Sequence, residues 1–121
     1  MYNDIVMDHF SDPRNAGEMA DSSAIGETGN PVDGDKIKIF IKVKGNILVD
    51  IKFKTFGCGA AIAASSMVTI LALNKTLEDA LNIQNGDVSD ALGGLPAEKL
   101  LCSNIAADAL HNAINNYLSN Q

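Results

Sequence analysis

Three short segments carry the residues able to hold a metal ion or a sulfur atom. Cys58 lies between Gly57 and Gly59, where a β-patterned run gives way to the small-residue stretch that starts at Ala60. A thiol at a helix N-terminus faces unpaired backbone N–H groups and the positive end of the helix dipole, which together favour thiolate over thiol. The flanking glycines leave it open to a metal, a cluster or another protein's sulfur. The competing reading is a small cysteine that fills a tight strand-to-helix corner. The second segment, Gly29-Asn30-Pro31-Val32-Asp33-Gly34-Asp35, is a glycine-punctuated loop with two carboxylates. The third is Cys102-Ser103, another thiol at an expected helix start. Two thiolates and a carboxylate suit zinc or iron, because soft sulfur ligands select such metals over magnesium or calcium. The chain has no Cys-x-x-Cys, so spacing alone leaves both a metal site and a structural role open.

The positions of these segments follow from the elements around them. Lys36, Lys38, Lys42 and Lys44 interleave with Ile37, Ile39, Ile41 and Val43; after Gly45-Asn46, Asp50, Lys52 and Lys54 interleave with Val49, Ile51 and Phe53. Period-two alternation on both sides of a two-residue turn predicts a β-hairpin with one buried and one solvated face. Pairing across Gly45-Asn46 leaves Asp33–Asp35 and Gly57–Gly59 about equally far from the turn, so the two loops meet at one end of the sheet. Residues 1–35 hold eight acids against one base, Arg14, whereas six of the nine basic residues fall between Lys36 and Lys54. The lysines read as a soluble outer face that discourages edge pairing, with a docking surface for an acidic partner as the alternative.

Elsewhere the chain reads as helix and loop. Tyr2 to about Phe10 predicts a short amphipathic helix ended by Asp12-Pro13, followed by a polar loop with a short strand around Ser23 to Thr28. Ala60 to Leu73 predicts a buried, closely packed helix. Thr76 opens another, with Asp79 placed to cap in return, and Gly86-Asp87 a third that ends at Gly93-Gly94. Ala97 to Leu118 carries apolar residues at helical spacing, with Ser103 as an N-cap partway along. Met7, Met19 and Met67 read as core filler, and His9 and His111 as surface or core-edge histidines. The expected class is α+β: a small antiparallel sheet of two to three strands with helices packed on one face, in a single domain over 1–121. The net charge of −6 argues against nucleic acid as a partner. No apolar run approaches the ~20 residues of a membrane span, and no signal-peptide pattern opens the chain, so a cytoplasmic location with two free thiols is expected.

The run from Phe53 through Gly57-Cys58-Gly59 to Ser65-Ser66 resembles the signature of the IscU/NifU-type iron–sulfur cluster assembly scaffolds. Asp8-His9-Phe10 with Asp12-Pro13-Arg14-Asn15-Ala16-Gly17 is similar to the family's N-terminal pattern. Gly29-Asn30-Pro31-Val32 with Gly34-Asp35 is similar to its first ligand loop, and Leu95-Pro96 with Cys102-Ser103 and Ala106, Asp108 and Ala109 to its third. The resemblance implies an α+β fold that builds a transient [2Fe–2S] cluster on three cysteines plus a fourth ligand. It also implies a cysteine desulfurase as sulfur donor and apoproteins as recipients. Tyr2 matches a tyrosine near the start of family members, where the N-terminal segment meets the desulfurase; a helix-packing aromatic is the alternative.

Two departures fall on the ligands. Where family members carry a cysteine between the residues matching Val32 and Gly34, this chain has Asp33; where they carry histidine or lysine before the third cysteine, it has Leu101. The ligand set carried over is therefore Asp33, Cys58 and Cys102, with Asp35 nearby as a modulator of cluster lability and Cys102 as the expected sulfur acceptor. A carboxylate is a harder ligand than thiolate and holds iron–sulfur clusters less well, and Leu101 cannot ligate. The expected role is a scaffold that binds iron, receives sulfur and is not an enzyme. The alternative is a relative that holds a single zinc or ferrous ion as a sulfur relay or regulator. A cysteine-based enzyme is the third reading, with no base placed by the sequence. Leu95-Pro96-Ala97-Glu98-Lys99 departs from the Leu-Pro-Pro-Val-Lys sequence that engages an Hsp70-type chaperone, which argues against that partner.

Overall fold

The lysine–isoleucine alternation folds as a hairpin of β2 (Asp35–Lys44) and β3 (Ile47–Phe56), closed by Gly45 and Asn46 at φ +57° and +65°. Two positive-φ residues in a row give the turn whose twist matches that of the flanking strands. Ile39 stands opposite Phe53 and Ile41 opposite Ile51, and β1 (Ala24–Asn30) adds antiparallel to the other edge of β2 in the order β1-β2-β3. The computed structural model describes residues 2–30 and 34–120. Around the sheet lie α1 (Asp4–Ser11), α2 (Gly59–Ala72), α3 (Leu77–Leu81), α4 (Asn85–Ala91), a 3-10 turn (Ala97–Lys99) and α5 (Leu100–Ser119). The fold is α+β, as the sequence predicts. None of the described helices is long and apolar enough to cross a membrane.

Ile37, Ile39, Ile41 and Ile51 are fully buried on the face that α2 and α5 cover. Alanines line both helices there: Ala60, Ala61, Ala63 and Ala64 on α2, and Ala106, Ala109 and Ala113 on α5. Small side chains let the helix axes come close to the sheet. The closest approach is at Gly26, where a Cβ would overlap the Ala109 carbonyl oxygen and the Ala113 nitrogen. Both obstacles are helix backbone, which cannot rotate away. Gly26→Ala is expected to cost about 3 kcal/mol, the upper end of ordinary overpacking, read as a lower urea midpoint with an unchanged slope.

Both sheet edges are covered. On β1 the Asn116 and Asn112 side-chain amides, one helical turn apart, donate to the carbonyls of Ile25 (2.8 Å) and Glu27 (3.2 Å). On β3 the Phe53 N–H donates to the Asn15 carbonyl at 3.0 Å, and the Leu48 N–H to the Lys75 carbonyl at 2.9 Å. Such cover removes a template for strand addition. The uneven charge layout also resolves within the chain. Lys54 pairs with Glu18 (2.6 Å), Lys42 with Asp21 (3.3 Å) and Lys36 with Glu27 (2.8 Å), so the acidic N-terminal third neutralises much of the basic hairpin face. Phe40 interrupts that face and is nonetheless buried, with the Lys38 ammonium 5.4 Å from its ring centre.

Local details depart from the sequence reading where tertiary contacts decide. Ser103 does not cap a helix; it lies inside α5 and donates to the Leu100 carbonyl at 2.8 Å. Thr76 does cap α3, accepting from the Asp79 N–H, but the reciprocal capping box belongs to Gln84 and Asp87 on α4. Met19 and Met67 are buried, whereas Met7 is 44% exposed. His9 is a core residue rather than a surface one. Its Nδ1 is 2.8 Å from Ser66 Oγ, which also accepts the Arg14 N–H at 2.9 Å.

Burial holds the His9 pKa below its ordinary value, with the Arg14 charge adding to the effect and Asp8 opposing it. The folded chain therefore prefers neutral His9, while the unfolded chain takes up a proton as pH falls through about 6.5. The stabilisation is complete above that pH and is lost as pH falls from there through the folded value. Thermal melts between pH 7.5 and 5.5 should show the midpoint dropping by a few degrees at the acidic end, with a shallower slope in His9→Gln.

Candidate metal centre

Asp35 opens β2, Phe56 ends β3, and Cys58 is the N-cap residue of α2. The hairpin therefore delivers the carboxylate and the first thiol to the same end of the sheet, as its pairing requires. Cys102, in the first turn of α5, reaches this point because α5 runs beneath β1 and β2. The Sγ atoms of Cys58 and Cys102 are 3.8 Å apart, and Asp35 Oδ2 lies 4.0 Å from the first and 3.9 Å from the second. Two thiolates bound tetrahedrally at about 2.3 Å from one ion stand about 3.8 Å apart. The sulfur separation thus suits a shared ion without backbone movement.

The carboxylate is aimed by the backbone. The Cys58 N–H donates to Asp35 Oδ1 at 3.2 Å, which leaves Oδ2 facing the sulfurs. Gly57 makes room for this latch, because a Cβ there would overlap Oδ1. Asp35 is 5% exposed and Cys102 3%, while Cys58 is half-buried. Burial pushes the Cys102 thiol up to about 12, with Cys58 and then Asp35 adding to the effect and Lys99 opposing it. The pocket without a cation therefore favours the protonated thiol at Cys102, and a metal must displace that proton on binding. Cys58 is the more open of the two thiols.

An apolar rim surrounds the donors. The Phe10 ring lies against Gly59, at 3.2 Å from where a Cβ would stand. Leu100 and Leu101 beside Cys102 are about half exposed, whereas Phe56, 73% exposed, lies on the lysine face with Lys36, Lys38 and Lys54. Tyr2 packs at the edge of the core, where burial raises the pKa of its hydroxyl, with Cys58 adding to the effect and Lys99 opposing it.

Of the residues singled out in the sequence, Cys58, Cys102 and Asp35 converge; among the described residues they form the one cluster of three His, Cys, Asp or Glu donors close enough to share an ion. Asp33 lies outside the described residues. His9 is committed to Ser66, and His111 Nε2 to the Ile83 carbonyl at 2.7 Å, so neither joins this group. Sequence reasoning did not single out Lys99 or the Asp35 latch. The three-residue spacing of Lys99 from Cys102 at a helix start was the available signal for the first.

The family described as "NifU-like N terminal domain" matches residues 1–121. The chain is 57% identical over 117 residues to the iron-sulfur cluster assembly scaffold protein IscU 1 of Archaeoglobus fulgidus, covering 97% of this chain and 76% of that protein. It is 45% identical to the iron-sulfur cluster assembly scaffold protein IscU of Aquifex aeolicus, over 99% of this chain and 78% of the relative. Among solved structures, a nitrogen-fixing NifU-like protein (N-terminal) from Brucella abortus superposes with a TM-score of 0.77 at 13% identity, covering 98% of this chain and 95% of the other. At that identity the likeness speaks for the fold alone.

Proposed function

The chain belongs to the NifU-like N-terminal domain family, and from that premise we propose that it is an iron–sulfur cluster assembly scaffold whose cargo is held by Cys58, Cys102, Asp35 and Asp33. The observation that carries this reading is the convergence of two thiols and one carboxylate within 4.8 Å of one another, at the end of the sheet where the apolar rim lies. The whole-length similarity to scaffold proteins supports it. In this reading a cysteine desulfurase supplies persulfide sulfur, a transient [2Fe–2S] cluster forms, and recipient apoproteins take it away. Phe10, Leu100 and Leu101 then serve as the surface on which those proteins seat.

Anaerobic reconstitution with iron, sulfide and a desulfurase tests the proposal. A thiolate-to-iron absorption band is expected, and its absence at every ratio overturns cluster assembly for this chain. The sulfur spacing also favours a second reading, a single tetrahedral zinc or ferrous ion. Metal analysis of the purified protein separates the two: stoichiometric zinc that is lost in Cys58→Ala, with no cluster on reconstitution, supports the single ion.

A further inference from the structure

A second polar cleft, of about 250 Å³, opens between the start of α4 and the middle of α5, lined by Gln84, Asn85, Asn104, Ala107, Asp108 and His111. Asn104, Asp108 and His111 lie four and three residues apart, which stacks them along one face of α5. Cys102 has its sulfur in the other cluster and does not line this cleft. Its polar groups are set by their partners. His111 Nε2 lies 2.7 Å from the Ile83 carbonyl oxygen. A carbonyl can only accept, so Nε2 carries the proton, and in the neutral ring Nδ1 keeps its lone pair. An imidazole fixed in this way by a backbone carbonyl on its far nitrogen is how proteins prepare histidine to bind a metal. The Asn85 side-chain NH2 donates to Asn104 Oδ1, which leaves Asn85 Oδ1 as an acceptor. Asp108 supplies an exposed carboxylate one turn before His111.

We propose that this cleft is a sulfur-free divalent-cation site, with His111 Nδ1 and the Asp108 carboxylate as protein ligands and Asn85 Oδ1 as a third. One imidazole nitrogen with oxygen donors selects borderline first-row ions such as manganese, ferrous iron, nickel or zinc, where the thiol cluster selects softer chemistry. The cleft has room for the ion's remaining waters, since a water occupies about 30 Å³. No covalent or redox step is involved; the ion exchanges water for protein ligands. The proposal does not depend on what the thiols hold.

The test uses the full chain carrying Cys58→Ser and Cys102→Ser, so that the thiols cannot bind, with circular dichroism confirming the fold. Calorimetric titration with nickel should give one site, weakened by at least about tenfold in Asp108→Asn and in His111→Gln, the scale of effect that loss of a metal's supporting groups produces. Asp90→Asn, an acid on α4 that does not line the cleft, should leave the affinity unchanged. Manganese added to the isotopically labelled chain should broaden the amide signals of Asn85, Asn104 and Asp108 first. Because Asp108 is exposed, its asparagine variant is expected to fold and keeps the test decisive. No nickel binding, parental affinity retained in either cleft variant, or broadening centred on the acidic N-terminal third would each overturn the site.

Discussion

Cys58→Ala and Cys102→Ala are each expected to abolish the thiolate-to-iron absorption that the proposed function predicts for the unaltered chain on anaerobic reconstitution. With only two sulfurs in the group, removing either leaves one thiolate and carboxylates, a donor set too hard for a cluster built on sulfur bridges. Family members with a third cysteine have a sulfur in reserve; this chain does not. The loss should not be one of folding. Cysteine to alanine removes a single sulfur, and Cys102 belongs to the hydrophobic core, where a small apolar residue is tolerated. Far-ultraviolet circular dichroism and urea midpoints check this directly. Asp35 needs a gentler change, because alanine would leave the buried Cys58 N–H without its acceptor, a loss of about 1–3 kcal/mol. Asp35→Asn keeps an oxygen for that N–H and removes only the negative charge. A cluster that forms on Asp35→Asn with an altered lifetime would separate the carboxylate's electrostatic role from its positional one. Retention of full absorption in either cysteine variant would remove the thiols from the centre of the reading.

The hairpin end of this site was legible before any coordinates. Alternation through Lys36–Lys42 and Asp50–Lys54 sets the face and the register at the site end of the hairpin and so brings Asp35 and Cys58 together. Nearer the turn a bulge at Lys42/Val43 leaves Val49 unpaired and exposed and buries Leu48 instead, against the alternation. Cys102 was not legible in the same way. It reaches the cluster only because α5 crosses β1 at Gly26, with helix backbone occupying the space of an absent Cβ, and no local pattern encodes that crossing. Family resemblance supplied the link where physics of the chain alone could not. The same limit applies to His9: the sequence read it as a surface or core-edge histidine, and only Ser66, far along the chain, gives its buried Nδ1 a partner. The charge layout was visible, but its meaning required the loop after α1 to fold back over the lysines so that Glu18 and Asp21 meet Lys54 and Lys42. Burial, invisible in the sequence, decides the Cys102 thiol: it pushes the pKa up, with Cys58 and Asp35 adding to the effect.

Asp33→Cys is expected to produce the largest gain available at one position. Asp33 is joined to Asp35 by a single intervening residue, and two residues of chain span at most about 7 Å, so a thiolate at position 33 is tethered close to the carboxylate that faces both sulfurs. A third sulfur replaces a hard oxygen donor by a soft one, and it adds a bond that must break before iron escapes. An increase of only about 1.4 kcal/mol in the barrier to cluster loss lengthens the half-life about tenfold. Decay of the absorption band in the presence of an iron chelator, measured for both chains side by side, gives that ratio. Ready release is useful to a scaffold that hands its cargo on, and a carboxylate at position 33 would bias the site toward release. If the two decay rates coincide, position 33 is not a ligand, and the donor set reduces to Asp35, Cys58 and Cys102. If Asp33→Cys instead converts a chain that isolates with one zinc into one that assembles a cluster, the aspartate is what holds this member of the family to a single ion.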